Sequence, residues 1–210
     1  MSFIDDLIKD GWLKTPKIIE AFKKIKREDF LPEEMKNLAD VNEALPIGFS
    51  QTISQPLTVA FMLELLQPKP GDKILDIGAG SGWTTALLSF IVRQKNGGKV
   101  IAIEIIKELK EFGEKNVDKY GFIEDGVVKY VLGDGSKGFK IDSSYDKILV
   151  SASSLSGVPE ELKNQLRIGG RLVLPIKDSI WLYIKKSDNE FQKKEYPGFV
   201  FVPLVNPGKK

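Results

Sequence analysis

The sequence predicts an α/β fold in which a mostly parallel sheet carries helices on both faces. From Gly71 onward, short apolar segments alternate with segments of helical periodicity, and this alternation is typical of parallel strands joined by right-handed helical crossovers. The first fifty residues show helical periodicity alone, whereas the last two apolar segments follow one another without a helix. The chain should therefore begin with a small helical segment and end in an antiparallel edge of the sheet.

The N-terminal segment has the pattern of three short helices. Apolar residues recur at helical spacing over residues 3–8 and again after Pro16, and a third short helix is expected over residues 33–38. The basic residues of the second helix predict a solvent-exposed face; they are Lys17, Lys23, Lys24, Lys26 and Arg27. We expect residues 1–50 to form a helical extension packed on an α/β domain of residues 51–210.

A loop and a helix connect this segment to the sheet. Pro46 and Gly48 interrupt regular structure, so residues 44–54 are predicted to form a loop. Pro56 suits the first position of a helix, which should end before Pro68. The strands expected after it are residues 73–77, 100–103, 127–132, 145–150, 171–175, 180–184 and 199–204, and the helices are residues 83–92, 106–120 and 159–165.

The composition excludes several classes of mechanism. The 210 residues contain neither cysteine nor histidine, which excludes a thiol nucleophile, a Cys/His zinc site and an imidazole base, and we expect no metal. The 31 basic and 29 acidic residues nearly cancel, so nothing attracts the chain generally to nucleic acid or to a membrane. No apolar run approaches the ~20 residues of a membrane span, and the N-terminus lacks a signal-peptide pattern. A cytoplasmic location is expected.

The C-terminal section is richer in lysine than the rest of the chain. It could form a local basic patch from Lys185, Lys186, Lys193, Lys194, Lys209 and Lys210. The sequence gives no function for this patch, because the overall charge is balanced and no nucleic-acid-binding motif accompanies it. Nucleic acid is therefore not expected among the partners.

A glycine-rich turn follows the first predicted strand and opens a helix. Asp76 precedes a G-x-G-x-G pattern, and the turn consists of Gly78, Ala79, Gly80, Ser81 and Gly82. Glycine lets the backbone approach a ligand closely, and the helix N-terminus offers free N–H groups. Dinucleotide-binding turns generally carry a third glycine where this chain has Trp83, which disfavours an NAD-linked oxidoreductase. A cofactor whose amino acid and ribose lie against the turn fits better.

Further candidate ligand-binding residues stand at the ends of the next two strands. Glu104 ends the second strand, where a carboxylate can accept hydrogen bonds from both ribose hydroxyls of an adenosine, and Ile105 follows it. Gly133, Asp134 and Gly135 follow the third strand, in a suitable place for adenine. Open parallel sheets bind ligands at the carboxyl ends of their strands. Together with the glycine turn, these residues predict a Rossmann-like nucleoside site.

Several motifs found together in one enzyme family are present in this chain. They are the segments 27–32 (REDFLP), 44–48 (ALPIG), 51–56 (QTISQP), 75–82 (LDIGAGSG), 133–135 (GDG), 169–175 (GGRLVLP) and 202–204 (VPL). With them, the sequence resembles the protein-L-isoaspartate (D-aspartate) O-methyltransferase family from about residue 18 to residue 204. The glycine turn and the GGRL strand are shared by many class I methyltransferases, whereas the QTIS-x-P segment is much more particular to this family.

The resemblance implies a Rossmann-like class I methyltransferase fold and S-adenosyl-L-methionine as cofactor, with S-adenosyl-L-homocysteine as product. It implies methyl transfer to the free carboxylate of L-isoaspartyl residues in damaged proteins and peptides, which is a protein-repair reaction. Ser54 and Thr52 would be the catalytic residues, between the cofactor methyl group and the substrate. The residues implied to contact the substrate are Ile53, Ser54, Leu57, Ser151 and Ala152. We expect the enzyme to act as a monomer.

This chemistry agrees with a chain that lacks histidine. A carboxylate with a pKa near ~4 is already ionised at neutral pH, so the acceptor needs no general base. The protein must align the carboxylate oxygen with the methyl group, an orientational contribution that can reach ~7–11 kcal/mol. The hydroxyl of Ser54 can hold the carboxylate by a hydrogen bond without being activated.

Two departures from the family pattern leave alternatives open. Members of the family usually carry histidine where this chain has Leu57, and an alanine run ending in proline where it has residues 151–157 (SASSLSG). Both positions are expected on the acceptor side of the site. One alternative is therefore a class I methyltransferase of the same lineage with a different carboxylate or hydroxyl acceptor. The other is a non-catalytic cofactor-binding module.

Overall fold

The computed structural model describes residues 3–94 and 97–204. Its α-helices are α1 (Phe3–Lys9), α2 (Pro16–Lys24), α3 (Pro56–Leu66), α4 (Trp83–Val92), α5 (Lys107–Asp118) and α6 (Glu160–Gln165). Its strands are β1 (Leu45–Gly48), β2 (Gln51–Ile53), β3 (Lys73–Ile77), β4 (Lys99–Glu104), β5 (Val128–Leu132), β6 (Tyr145–Val150), β7 (Leu166–Ile176), β8 (Ser179–Lys185) and β9 (Phe191–Pro197). Short 3-10 helices comprise Arg27–Phe30, Glu33–Leu38, Gly135–Lys137 and Lys140–Asp142. None of the helices within these described ranges has the length and apolar character needed to cross a bilayer.

Seven strands form the central sheet in the order β5-β4-β3-β6-β7-β8-β9. The pairs β3–β4, β3–β6, β4–β5 and β6–β7 are parallel, whereas β8 and β9 pair antiparallel at one edge. The α/β class, the mostly parallel sheet and the antiparallel C-terminal edge predicted from the sequence are confirmed. The chain moves outward from β3 to β5 and then returns to β6 on the other side of β3. Open α/β sheets bind ligands where the strand order reverses in this way.

Apolar side chains fill both faces of the sheet and include side chains of the N-terminal helices. Phe22 of α2 belongs to the core on one face, and Leu75 and Ile148 belong to the core on the other. Phe22 also contacts Trp83 of α4 edge to face, with ring centroids 5.6 Å apart. The N-terminal segment therefore shares a core with the sheet. A boundary at residue 50 falls in the turn between β1 and β2, and the division of the chain there stays a prediction.

The loop predicted over residues 44–54 is wrong, because these residues contain the antiparallel hairpin β1–β2. Phe49 and Ser50 have φ values of 53° and 56°, and this left-handed backbone reverses the chain tightly. Leu45 pairs with Ile53, and both are buried. The proline and glycine of β1 are tolerated because a two-stranded hairpin has open edges.

The last strand lies earlier than the sequence predicts, so the strand expected over residues 199–204 is wrong. Residues 192–195 in the middle of β9 are exposed, and this edge strand therefore lacks the apolar alternation that marks a half-buried strand. Residues 199–204 run beside the carboxyl end of β6 instead. There the Ser153 N–H donates to the Val202 carbonyl and the Leu204 N–H donates to the Ser153 carbonyl, both at 2.8 Å.

The exposed basic face predicted for the second helix is correct for three of its residues and wrong for Arg27. Lys23, Lys24 and Lys26 are exposed and Lys17 is half-buried, whereas Arg27 is only 3% exposed. The chain leaves the α-helix before Arg27, which begins a 3-10 helix. The helical phase that places the lysines in solvent therefore does not extend to it, and its guanidinium donates to backbone carbonyls.

The lysine-rich C-terminal section does not form one continuous exposed patch. Lys193 and Lys194 are exposed on β9. Lys185 is buried on β8, where its Nζ donates to a backbone carbonyl at 3.4 Å, so it adds little to an exposed basic surface. Lys209 and Lys210 lie outside the described residues.

Candidate functional site

The turn between β3 and α4 has a backbone that glycine adopts most readily. Gly78, Gly80 and Gly82 have φ values of 76°, 52° and 91°, in the left-handed region that a Cβ disfavours. A Cβ on Gly82 would also lie 2.7 Å from the Tyr130 hydroxyl and 2.8 Å from the Gly113 carbonyl. The turn therefore presents bare backbone at the carboxyl end of β3, directly before the N-terminus of α4.

Glu104 fixes the end of β4 against this turn. Its Oε2 accepts a hydrogen bond from the Gly80 N–H at 2.9 Å, and its Oε1 accepts from the N–H groups of Ile105 and Ile106 at 2.9 and 3.0 Å. The residue is only 6% exposed. Hydrogen bonds to a charged acceptor are about twice as strong as neutral ones, so the carboxylate is held in one orientation beside the turn.

The turn, Glu104 and the ends of the neighbouring strands line a cleft at the carboxyl edge of the sheet. The residues predicted to bind the cofactor that line it are Gly78, Ala79, Gly80, Ser81, Glu104, Ile105, Gly133 and Gly135. The cleft also has an apolar lining that the sequence reasoning missed, formed by Ile47, Val59, Ile106, Leu109 and residues 202–204. These residues come from elements far apart in the sequence, and no local motif marks them.

Gly82 and Asp134 were also predicted to contact the cofactor, but they do not line the cleft. Gly82 packs instead against the backbone of α5 at Gly113. The Oδ1 atom of Asp134 accepts from the N–H and the hydroxyl of Ser136 at 3.0 and 2.7 Å. Asp134 thus caps the short 3-10 helix that follows it, and its contact with adenine stays a prediction.

Asp76 is fully buried near the end of β3 and does not line the cleft either. Its Oδ2 accepts from the Thr85 hydroxyl at 2.7 Å, whereas its Oδ1 has no hydrogen-bond partner within the part of the chain that the structure describes. Burial raises the pKa of Asp76 to about 7; the Thr85 hydrogen bond lowers it and the charge of Glu104 raises it further. The Asp76 carboxyl therefore titrates near neutral pH.

Thr52, Ile53 and Ser54 line the same cleft from the side of the hairpin. A second cavity adjoins the cleft, and its lining includes Ala44, Thr52, Ser54, Gln55, Thr58, Ser151 and residues 198–202. Thr52, Ser54, Ser151 and Val202 line both spaces and so mark the junction between them. Of the other residues predicted to contact the substrate, Ala152 lines the cleft, whereas Leu57 lines neither space.

The junction between the two cavities offers hydroxyl groups and no ionisable side chain. Among the described residues, Glu104 is the one titratable side chain that lines the cleft, and none lines the second cavity. The polar side chains at the junction are therefore hydrogen-bonding groups that neither carry a charge nor accept a proton at neutral pH. This arrangement suits a reactant that is already ionised and needs no general base from the protein.

The serine run after β6 divides into a part at the junction and a part that stabilises the backbone. Ser151 lines both cavities. The Ser153 hydroxyl donates to the Lys177 carbonyl at 3.0 Å, and the Ser154 hydroxyl donates to the Gly157 carbonyl. Both of these serines are buried. The run thus contributes one hydroxyl, that of Ser151, to the site.

Known proteins resemble this chain along nearly its whole length. The family model described as Protein-L-isoaspartate(D-aspartate) O-methyltransferase matches residues 1–209. A Protein-L-isoaspartate O-methyltransferase of Methanopyrus kandleri is 42% identical over 199 residues, which cover 93% of this chain and 86% of that protein. A relative of the same name from Staphylothermus marinus is 40% identical over 209 residues, covering 96% and 92%.

Solved structures share the fold along nearly the whole chain. One named protein-L-isoaspartate O-methyltransferase aligns with a TM-score of 0.86 at 28% identity, covering 97% of this chain and 65% of that one. A Plasmodium falciparum protein assigned to the same family and crystallised in complex with S-adenosyl-L-homocysteine aligns with a TM-score of 0.85 at 22% identity, covering 97% and 96%. These alignments confirm the expected class I methyltransferase fold. With the family model matching residues 1–209, the chain belongs to the protein-L-isoaspartate (D-aspartate) O-methyltransferase family.

Proposed function

We propose that this chain is an S-adenosyl-L-methionine-dependent protein-L-isoaspartate O-methyltransferase. It transfers a methyl group to the free carboxylate of L-isoaspartyl residues in damaged proteins and peptides, as the first step of their repair. The observation that carries the proposal is the junction at Thr52, Ser54 and Ser151, where a nucleoside-type cleft meets a second cavity. Family membership supports the choice of acceptor, since the relatives about 40% identical to this chain carry this enzyme name.

The cleft fits the adenosine and amino-acid parts of S-adenosyl-L-methionine. The glycine turn exposes backbone that a Cβ would cover, and Glu104 offers charged oxygens to the ribose hydroxyls. Ile105 and Gly133 border the space expected for adenine, and a Cβ on Gly133 would meet no atom within 4 Å. When bound, the cofactor supplies a methyl group on a positively charged sulfur that leaves as a neutral thioether.

The second cavity fits the acceptor side of the reaction. An isoaspartyl carboxylate is ionised at neutral pH, so its oxygen can form the new bond to the methyl carbon while the carbon–sulfur bond breaks, and no proton is transferred. The hydroxyls of Ser54 and Thr52 would hold this carboxylate by hydrogen bonds and so orient it toward the methyl group that the bound cofactor supplies. This alignment is the main contribution required from the chain, and positioning of this kind can lower a barrier by as much as ~7–11 kcal/mol.

The same junction argues against an alcohol as the acceptor. A hydroxyl nucleophile needs a general base within hydrogen-bond reach, and the residues described around both cavities include no titratable side chain except Glu104. Glu104 is held at the glycine turn by the N–H groups of Gly80, Ile105 and Ile106, and the proposal assigns its remaining hydrogen-bonding capacity to the ribose hydroxyls. A carboxylate acceptor is therefore favoured over a hydroxyl.

The proposal is tested with radiolabelled S-adenosyl-L-methionine and a pair of synthetic peptides. One peptide contains an isoaspartyl residue, and the matched peptide contains aspartate at the same position. We expect base-labile methyl ester on the isoaspartyl peptide alone. Equal labelling of both peptides, or no labelling by protein that binds the cofactor, would reject isoaspartyl methylation.

Replacing Ser54 by alanine should lower kcat with little change in cofactor affinity. A hydrogen bond to a charged group contributes about 1.5–3 kcal/mol, which corresponds to a loss of about 10- to 100-fold in kcat if the bond acts in the transition state. Initial rates with the isoaspartyl peptide and calorimetry with S-adenosyl-L-homocysteine measure the two effects separately. Ser187→Ala, on the exposed connection between β8 and β9, is the control. A Ser54→Ala variant with more than half of the wild-type kcat would remove Ser54 from the mechanism.

We also propose that the enzyme acts as a cytoplasmic monomer whose macromolecular partners are its damaged substrates. The near balance of 31 basic and 29 acidic residues supports the expectation that it binds neither nucleic acid nor membranes. The helical extension of residues 1–50 is proposed as part of the same unit, because Phe22 packs on Trp83 beside the glycine turn. Sedimentation analysis of the purified protein tests the monomer.

A further inference from the structure

Arg27 is a buried cation that hydrogen-bonds to backbone carbonyls around the junction residues. Its Nη1 donates to the carbonyls of Ala39 and Val41 at 3.1 and 2.9 Å. Its Nη2 donates to the carbonyls of Glu43 and Ser54 at 2.7 and 3.2 Å. The guanidinium thus connects the irregular segment that precedes β1 to Ser54, a residue that lines both cavities.

The surroundings of Arg27 also link it to the glycine turn. Its guanidinium carbon lies 5.4 Å from the centroid of the Trp83 ring, and Trp83 begins α4 directly after Gly82. Burial lowers the pKa of Arg27 to about 10, and the charge of Asp40 raises it, so the side chain is protonated at neutral pH. One charged group therefore contacts both Ser54 and Trp83, two residues that line the cleft and come from different elements.

A second set of hydrogen bonds ties the same irregular segment to the chain after Ser54. The Leu57 N–H donates to the Asn42 Oδ1 at 3.0 Å, and the Gln55 Nε2 donates to the Asn42 carbonyl at 2.9 Å. The segment before β1 thus holds the chain at Gln55 and at Leu57, while Arg27 holds Ser54 itself. Ser54 lies between the end of β2 and the start of α3, and these hydrogen bonds connect it and its neighbours to the segment before β1.

We propose that Arg27 is a positioning residue for methyl transfer. By holding the Ser54 carbonyl against the segment before β1, it sets where the Ser54 hydroxyl meets the acceptor carboxylate. Arg27 lines neither cavity, so it acts through Ser54 and does not touch the reactants. The proposal rests on the proposed function, since it concerns the geometry of that reaction.

The geometry requires arginine and not merely a positive charge. The four carbonyl oxygens are shared between the two terminal nitrogens, a pattern that the rigid planar fork of a guanidinium satisfies. The ammonium group of lysine carries only three donors on a single nitrogen. Arg27→Lys should therefore keep the charge and lose part of the bracing of Ser54.

The first experiment compares Arg27→Lys with a matched control, Arg171→Lys. Arg171 lies on β7, donates to the Leu65 carbonyl at 2.6 Å and lines neither cavity. Calorimetric titration with S-adenosyl-L-homocysteine counts the cofactor-binding molecules, and kcat on the isoaspartyl peptide is expressed per such molecule. We expect Arg27→Lys to lose at least about 10-fold in kcat with a Kd within about 3-fold of wild type, and Arg171→Lys to keep kcat.

A double-mutant cycle separates positioning from general support of the fold. In a Ser54→Ala background, Arg27→Lys should cost less than about 3-fold in kcat, because the hydroxyl that it positions is already gone. Additive losses, or a kcat for Arg27→Lys above half of the wild-type value, would overturn the proposal. The proposal would also be overturned if neither Arg27→Lys nor Arg27→Gln bound S-adenosyl-L-homocysteine, because Arg27 would then support the whole cleft. An inactive wild-type protein would instead reject the proposed function.

Discussion

Replacing Glu104 by alanine should weaken the binding of S-adenosyl-L-homocysteine by at least about 100-fold. Under the proposed function, the variant loses the charged hydrogen bonds that Glu104 would accept from the ribose hydroxyls, each contributing about 1.5–3 kcal/mol. It also leaves the N–H groups of Gly80, Ile105 and Ile106 without the acceptor that they have in the structure. Isothermal titration calorimetry at neutral pH measures the change.

Glu111→Ala is the matched control for this experiment. Glu111 is an exposed acid on the neighbouring helix α5, so its removal changes the net charge equally and leaves the cleft intact. Circular dichroism checks that Glu104→Ala remains folded at the temperature of the titration. A Glu104→Ala variant that binds S-adenosyl-L-homocysteine within about 3-fold of wild type would show that Glu104 does not hold the ribose.

The wild-type protein should lose stability as the pH rises through the pKa of Asp76. Replacing Asp76 by asparagine should abolish this pH dependence. The pKa of Asp76 is raised to about 7 in the folded protein by burial, with the Thr85 hydrogen bond opposing and the Glu104 charge adding to the shift. In the unfolded chain an aspartate has a pKa of about 3.9. Because the folded state holds this proton more tightly, its contribution to stability is fully present below about pH 4 and is lost as the pH rises to about 7.

The size of this effect follows from the shift. A difference of about three pKa units at about 1.4 kcal/mol each corresponds to about 4 kcal/mol between pH 4 and pH 8. Urea unfolding of both proteins across this range measures the free energy of unfolding. As the pH rises, the value for Asp76→Asn should increase relative to that of wild type by about this amount. Asp118→Asn, which removes an exposed carboxyl of α5, reports the effect of a lost charge alone. Parallel pH profiles for wild type and Asp76→Asn would contradict the prediction.

The alternating part of the fold was predictable because its elements are buried in a regular way. Strands β3, β4 and β6 are almost continuous apolar runs buried on both faces, and α3 begins at Pro56 as expected. Elements without that regularity were missed. The hairpin strands are three or four residues long, too short to show a period, and β9 is polar because its outer edge meets solvent.

The residues of the site that belong to local sequence motifs were also predictable. The glycine turn and Glu104 lie where the sequence places them, beside one another at the carboxyl ends of β3 and β4. Contacts between distant segments were not predictable, since no local pattern specifies which carbonyl or apolar side chain will be a neighbour. Ile47 and Val202 in the cleft lining are examples. Arg27 is another, because the lysines before it are exposed while its own partners lie up to 27 residues away.

The lysines of the last strand have a consequence for an enzyme that handles damaged chains. An unfolded polypeptide segment readily adds itself as a new strand to any open sheet edge. Strand β9 pairs with β8 on one side and is the terminal strand of the sheet. Lys193 and Lys194 place two adjacent positive charges along it, and charges of this kind discourage a client polypeptide from docking there. These charges therefore oppose edge-to-edge association of the enzyme with unfolded polypeptide.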